Sequence, residues 1–534
     1  MTNPKEDPKK FWTKERLDKA ITLANNGKTW DEVGELMGIS REGVARAVRR
    51  YKAVQRQDAH PQADFTREAI GTIIKNKNIT KGMFFVTAAA PTDPDGGKLQ
   101  KSWYVGANLH EAGFAAIQSF CALNGAELII HPLPAQIAAL RDQPNHYDPK
   151  LKPYIKSFAT EFVFNKYLRS IDIGINPQLG NPLAGLSRMR GKGDRNSSVI
   201  VAHTKQNMKM FATGNSTAPR LMHSTGCITL PAYRKNRVGR IAEEDHVVGG
   251  LVVVVKGSTF FIHQVQIRSE EGSFNYMGVR YFANGKTRVE RAEAMKLGDI
   301  HYGRQSAAAM AATYEMMAKL QPKEIFVEDI FDGTSINPHT WSDLFQKGTP
   351  PEQFASLDKE LSVCRDGMLD LWVHSPTDCK INVTASNHND FLDRYLKRGQ
   401  YLQDSVNYAT GHRMVVDKLD GKDPLQTRVD PDNKYTWLGI NDDILIEGCN
   451  MSSHGHLAAN GAKGAQVGVE LAYDNGMFAH THTPGILNNA WWVGHLSEER
   501  HGYNTGASTW QHCNGVVYKN GEKCLLFVIN GKWK

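Results

Sequence analysis

The stretch AEAMKLGDIHYGRQSAAAMAATYEMMAKLQPKEIFVEDIFDG, residues 292–333, decides how the C-terminal half of the chain folds. Ala292–Leu297 is a short apolar run that reads as a strand, and Gly298-Asp299-Ile300-His301-Tyr302-Gly303 follows it directly. Residues two apart in a strand face one side, so Asp299 and His301 can reach the same metal ion. Ser306–Leu320, rich in Ala and Met, reads as a helix, and Lys323–Val327 as the next strand, ending in Glu328-Asp329-Ile330-Phe331-Asp332-Gly333. A strand–helix–strand unit sets parallel strands side by side and brings their carboxyl ends together, where α/β sheets place their sites. Asp329 is therefore expected beside Asp299 and His301.

Downstream the same pattern recurs. Lys380–Thr384 ends in Ala385-Ser386-Asn387-His388-Asn389-Asp390, Asp443–Ile446 leads towards Ser453-His454-Gly455-His456, and Met477-Phe478 runs into Ala479-His480-Thr481-His482-Thr483-Pro484. One histidine pair in a loop is ordinarily polar surface. Five strand-like segments in a row, each followed by metal-ligand side chains, are not explained that way.

In the order D-x-H-x-G, D-x-x-D, N-H, H and H-x-H, these residues resemble the calcineurin-like metallophosphoesterase superfamily over about residues 288–534. Asp299-Ile300-His301-Tyr302-Gly303 and Asp329-Ile330-Phe331-Asp332 look most like the SbcD-type DNA-repair nucleases. The resemblance implies an α/β fold, a β-sandwich flanked by helices, and two metal ions. Asp299, His301, Asp329 and His482 would hold the first ion. Asp329 would bridge to the second, completed by Asn387, His454 and His480. Carboxylate, amide oxygen and imidazole together suit borderline divalent ions, Mn2+ foremost, with Mg2+, Fe2+ or Zn2+ as alternatives. Two ions about 3.5–4 Å apart activate a water and clamp a phosphate for in-line attack. His388 would be the catalytic imidazole that is not a ligand, protonating the departing oxygen, with Asp390 as its acidic neighbour. His456 competes with His454 for the second ion; His456 and Asp332 are otherwise expected just outside the ligands. The chain departs from the family pattern at Glu328, Ser386 and Ala479, which stand where glycines are usual.

The N-terminal stretch, residues 10–54, reads as three short helices: Leu17, Ala20, Ile21 and Ala24 recur at helical spacing, Trp30, Val33, Leu36 and Met37 carry the second, and Gly38 permits a tight turn. Ser40 is a good N-cap for the third, with Val44, Ala45 and Val48 inward and Arg41, Arg46, Arg49 and Arg50 outward. This resembles a helix-turn-helix that lays its last helix on DNA; a small bundle docking protein is the competing reading. Residues 55–81 read as a linker and 82–287 as a central mixed α/β domain, with strands at Met83–Ala88, Glu127–His131 and Val199–His203, a helix at Glu111–Leu123, and a hairpin of Gly249–Val255 with Thr259–Val265. Residues 288–534 read as the two-metal domain that the resemblance implies, closed by a hairpin of Val516–Tyr518 and Leu525–Ile529 around Asn520-Gly521.

Composition bounds the rest. The 534 residues are 41% hydrophobic and 22% charged, which excludes wholesale disorder. Lys and Arg number 64 against 56 Asp and Glu, a net +8 that admits a polyanionic partner. Seven scattered Cys exclude a disulfide scaffold. The charged start lacks a secretory h-region, and the longest apolar run, around Val247–Val255, is too short for a bilayer, so a soluble, cytoplasmic protein is expected. A helix-turn-helix ahead of such a domain is also similar to DNA-degradation proteins made early by T-odd tailed phages, which implies the host cytoplasm. The expected function is a metal-dependent DNA nuclease, with DNA as partner, no membrane, and a homo-oligomer, dimer or larger. The alternatives are a phosphoprotein or nucleotide phosphatase with the same centre, or a DNA-binding regulatory or packaging protein whose metal site is inactive.

Overall fold

The computed structural model describes residues 13–26, 28–41, 43–44, 48, 74–75, 81–92, 104, 106–133, 147–155, 161–177, 179–184, 186, 197–214, 220–337, 356–499, 501 and 504–534. The chain divides into two compact units, Met1–Thr72 and Ile73–Lys534. In the first, helices Lys14–Asn25 and Trp30–Met37 lead into helical residues 41, 43, 44 and 48. Thr29 and Glu32 form a reciprocal capping box on the second helix, and Gly38 ends it at φ 66°, a left-handed turn that favours glycine. Ala20, Val33, Val44 and Val48 make the buried core of this unit. Arg41 is exposed and pairs with Asp31 at 3.4 Å. Arg46, Arg49 and Arg50 lie outside the described residues, as does most of the expected linker.

The second unit is mixed α/β, with sheets of eleven, four, three and six strands; the described residues of both units together hold about ten helices. The six-stranded sheet positions the first three ligand segments. Its strands Thr436–Trp437, Lys380–Val383, Glu324–Val327 and Ala294–Lys296 run parallel, and Cys513–Val517 with Lys523–Phe527 close it antiparallel. Helix Ala307–Leu320 makes the first crossover. Ser306 caps it by accepting from the Ala309 N–H, and Ala309, Met310, Ala312, Thr313, Met316, Met317 and Leu320 bury one face. Each such buried Met or Leu contributes about 1.5–3 kcal/mol. The strand–helix–strand reading of 292–333 thus holds, and the carboxyl ends of three parallel strands deliver Asp299, Asp329 and Asn387 to one edge.

The remaining ligand segments come from the eleven-stranded sheet. Cys449–Asn450 and Gly476–Phe478 pair parallel within it, and the latter also pairs with Ala490–Trp492. Strands at Glu161–Asn165, Leu168–Ile171, Ser198–Val201, Leu221–Ser224 and Met208–Met210 continue the same sheet, so residues on both sides of position 287 share one sheet and one hydrophobic core. The strand that precedes His454 differs from the expected Asp443–Ile446. Leu445–Ile446 turns back at Glu447 and Gly448, with φ of 50° and 75°, and pairs antiparallel with Cys449–Asn450. That tight turn supplies the strand from which His454 emerges.

Lys81–Ala89 pairs with Glu127–Pro132 and Gly249–Lys256, and the latter forms the expected hairpin with Thr259–Gln266. Among the described residues no helix is long and apolar enough to cross a membrane. All seven cysteines are free, and all but Cys379 are buried.

Candidate metal centre

The loops that leave the first two strands keep running side by side. His301 N–H donates to the Asp329 carbonyl at 2.8 Å and Tyr302 N–H to the Ile330 carbonyl at 3.1 Å. His301, Asp329, His480 and His482 all adopt left-handed backbone, with φ of 53°, 39°, 67° and 54°. Such conformations cost non-glycine residues on the order of 1–3 kcal/mol and persist only where the surroundings impose them. Here they aim side chains at a common point.

One group of donors gathers around Asp299. His482 Nε2 stands 3.0 Å from Asp299 Oδ2, and His301 Nε2 is 3.2 Å from His482 Nε2. Asp329 Oδ2 is 3.9 Å from His301 Nε2. One ligand atom from each of Asp299, His301, Asp329 and His482 lies within 4.8 Å of all the others. A second group gathers on the other side of the same carboxylate. His454 Nε2 lies 3.4 Å from Asp329 Oδ2 and 3.0 Å from Asn387 Oδ1, which His480 Nδ1 approaches at 2.8 Å. All seven expected ligands therefore converge, with Asp329 Oδ2 facing both groups. Asp299, His301, Asp329, His454 and His482 are buried, whereas Asn387, His388, His456 and His480 are partly open and form the accessible side.

The electrostatics fit a cation. Four buried carboxylates, Asp299, Glu328, Asp329 and Asp332, crowd this pocket, and buried charge is costly unless it is compensated. Both carboxylate oxygens of Asp299 and Nδ1 of His482 are buried without a hydrogen bond. Burial, opposed by His454 and reinforced by the charge of Asp329, pushes the Asp299 carboxyl up. Burial would also raise Asp329, but the charges of His454 and His388 hold it well below the usual carboxylate range. Burial and the neighbouring His454 push His480 down to about 4, and burial with His301 lowers His482 well below its ordinary value. Both rings are therefore neutral near pH 7 and present lone pairs. Two carboxylates, an amide oxygen and four imidazoles form a donor set for borderline divalent metals.

The residues around the ligands orient them. Asp332 Oδ1 lies 3.1 Å from His301 Nδ1, while its other oxygen takes Arg304 Nε at 3.2 Å and the Thr334 hydroxyl. That leaves Nε2 of His301 for a metal. His388 Nδ1 donates to the Asp332 carbonyl at 2.8 Å, so Nε2 is the ring nitrogen not engaged there. Among the described residues Asp390 makes no hydrogen bond or ion pair with His388. It is exposed, and the Asp332 carbonyl holds the ring instead. His456 packs beside the ligands, its ring 5.3 Å from that of His454 and 6.0 Å from that of His480.

The sequence gives several neighbours no role at this centre beyond marking Glu328 as a departure from glycine. Glu328 accepts from His454 Nδ1 at 2.8 Å and from the Thr384 hydroxyl at 2.6 Å, and pairs with Lys296 at 2.6 Å. Trp510 stands edge-on 4.1 Å from the His482 ring, and His495 stacks on its neighbouring side at 5.4 Å. His495 and His501 both hydrogen-bond the Ser497 hydroxyl, at 2.9 and 3.0 Å. A signal for the first was present: a lysine in an apolar core strand and a glutamate where a glycine was expected, just past the end of the parallel neighbour strand, are complementary misfits. The others come from loops whose spacing carries no periodic pattern.

No family model matches the chain. It is similar to Protein A1 of Escherichia phage T5, 24% identical over 451 residues that span 79% of this chain and 80% of that protein.

Proposed function

We propose that the chain is a metal-dependent nuclease of the calcineurin-like metallophosphoesterase kind that hydrolyses phosphodiester bonds in DNA, and that it acts as a phage early protein degrading host DNA. The observation that carries this reading is the position of Asp329, whose Oδ2 faces His301 on one side and His454 on the other, at 3.9 and 3.4 Å. Asp299, His301 and His482 would complete the first ion's shell, and Asn387, His454 and His480 the second's. Two divalent ions held there would supply Lewis-acid charge to a phosphate and would lower the pKa of a water beside it.

The chain's own residues supply the rest. Asp332 orients two rings at once, His301 through its carboxylate and His388 through its carbonyl. With Nδ1 of His388 committed as a donor, Nε2 is the atom left to face the departing oxygen, and it delivers a proton there only from the imidazolium form, which burial disfavours and the charges of Asp329 and Asp332 favour. Asn387 and His480 lie on the partly open side, where a phosphate enters. DNA is favoured over a small phosphoester by the net +8 and by the capped helical unit at the N-terminus. The similarity to a protein of phage T5 supports the phage part.

The full chain should degrade DNA with Mn2+ and stop when a chelator is added. Intact linear, circular and single-stranded DNA after incubation with Mn2+, Mg2+ and Co2+ contradicts the proposal.

A further inference from the structure

We infer that the buried Lys296–Glu328 pair is a positioning device that fixes the His454 ring, so that its Nε2 faces the place Asp329 shares with Asn387 and His480. The inference rests on the metal-centre reading above.

Both side chains are fully buried, with Nζ of Lys296 2.6 Å from Glu328 Oε1. A buried ion pair is a poor source of stability, because desolvating two charges offsets their attraction. What this pair provides is direction. Glu328 Oε2 faces His454 Nδ1 at 2.8 Å, and a carboxylate can only accept there, so Nδ1 carries the proton and Nε2 is the atom left to ligate. Lys296 holds the same histidine from its backbone, donating to the carbonyls of Met451 at 2.9 Å and Ser453 at 3.0 Å. Ser453 is the residue immediately before His454. The second carboxylate contact, from the Thr384 hydroxyl at 2.6 Å, ties in the strand that leads to Asn387.

One charge pair therefore links four segments of the centre. Lys296 lies three residues before Asp299, Glu328 adjoins Asp329, Thr384 lies three residues before Asn387, and the Met451–Ser453 carbonyls precede His454. The second donor group depends on this linkage more than the first. Asp299, His301 and His482 take no hydrogen bond from the pair, whereas His454 is held at both ring and backbone. Groups that orient a metal-bound histidine in this way typically change metal affinity about 10–100-fold when removed.

The test titrates the chelator-treated full chain with Mn2+ by calorimetry, and records the dimanganese signal by electron paramagnetic resonance. Wild type should bind two ions and give an exchange-coupled spectrum. Glu328→Ala should keep one ion at unchanged affinity and bind the second about 10–100-fold more weakly, with a mononuclear spectrum at matched Mn2+. Because the lone Lys296 can unfold that variant, a neutral pair of variants repeats the comparison. K296M/E328Q keeps an acceptor for His454 Nδ1, and K296M/E328L removes it. Second-ion affinity near that of wild type in the first, with loss in the second, supports the assignment. Equal second-ion affinity in the two, or in folded Glu328→Ala and wild type, overturns it. A wild type that binds no Mn2+ overturns the metal centre itself, which is a separate result.

Discussion

His454 shows how much chemistry a single residue can carry in this protein. Both of its ring nitrogens face acceptors: Nδ1 faces Glu328, and Nε2 faces Asn387 Oδ1 and Asp329 Oδ2. Burial would lower its pKa, but the charges of Asp329 and Asp299 and the hydrogen bonds to Asp329 and Glu328 override burial and hold it well above the ordinary value. A histidine raised in the folded state stabilises the fold in full below its unfolded pKa of about 6.5, and that contribution fades as pH rises through the folded value. Metal binding runs the other way, because an ion on Nε2 must displace the proton. Mn2+ binding near pH 7 should therefore release a proton and tighten as pH rises, which calorimetry in buffers of different ionisation enthalpy will read directly. Heat that does not vary with buffer contradicts the protonated ring. His388 makes the complementary case. Its Nδ1 is held by a carbonyl rather than by a ligand, so His388→Ala should retain the full Mn2+ content while turnover falls about 10²–10⁴-fold. A metal-depleted His388→Ala protein contradicts its role as a proton donor outside the ligands.

At the scale of the element, the candidate ligands stand on strand ends that touch backbone to backbone. Asp299 N–H donates to the Gly494 carbonyl at 3.3 Å, and Gly494 N–H donates to Cys513 at 2.9 Å. A Cβ on Gly494 would meet the Gln511 carbonyl at 1.9 Å, so no side chain fits between these strands. Gly494→Ala should lower stability by about 1–3 kcal/mol in urea unfolding and weaken the first ion, while the same change at Gly180, which has open space and no left-handed backbone, should cost little of either. Equal stability of Gly494→Ala and wild type contradicts the close approach. Much of this level was legible in the sequence. The apolar runs before Asp299, Asp329 and Asn387 and the Ala/Met helix between the first two gave the parallel unit, because helical and strand periodicities differ so clearly there. The strand before His454 was less legible, since Leu445–Ile446 and Cys449–Asn450 are two residues each and the turn between them rests on Glu447 in left-handed backbone. Lys296 and Glu328 were visible as misfits, but only packing reveals that they meet.

At the scale of the whole molecule, the chain comprises a small helical unit and a large mixed one. In the large unit a single eleven-stranded sheet unites strands from Ile74–Lys75 to Ala490–Trp492. Its continuity across position 287 was hidden in the sequence, because pairings such as Ile486 with Met208 join segments far apart in the chain. If the small unit contributes phosphate contacts, a chain lacking residues 1–54 should bind DNA more weakly with a shallower dependence of log affinity on log salt. An unchanged slope in a salt series assigns that unit to docking a protein instead. The central claim, one carboxylate shared between two groups of donors, is tested most directly by anomalous diffraction at the manganese edge from Mn2+-loaded crystals. Two peaks about 3.5–4 Å apart, flanking Asp329 with Asp299, His301 and His482 on one side and Asn387, His454 and His480 on the other, are the predicted result; an absence of peaks there, or one ion that leaves Asp329 uncoordinated, would contradict it.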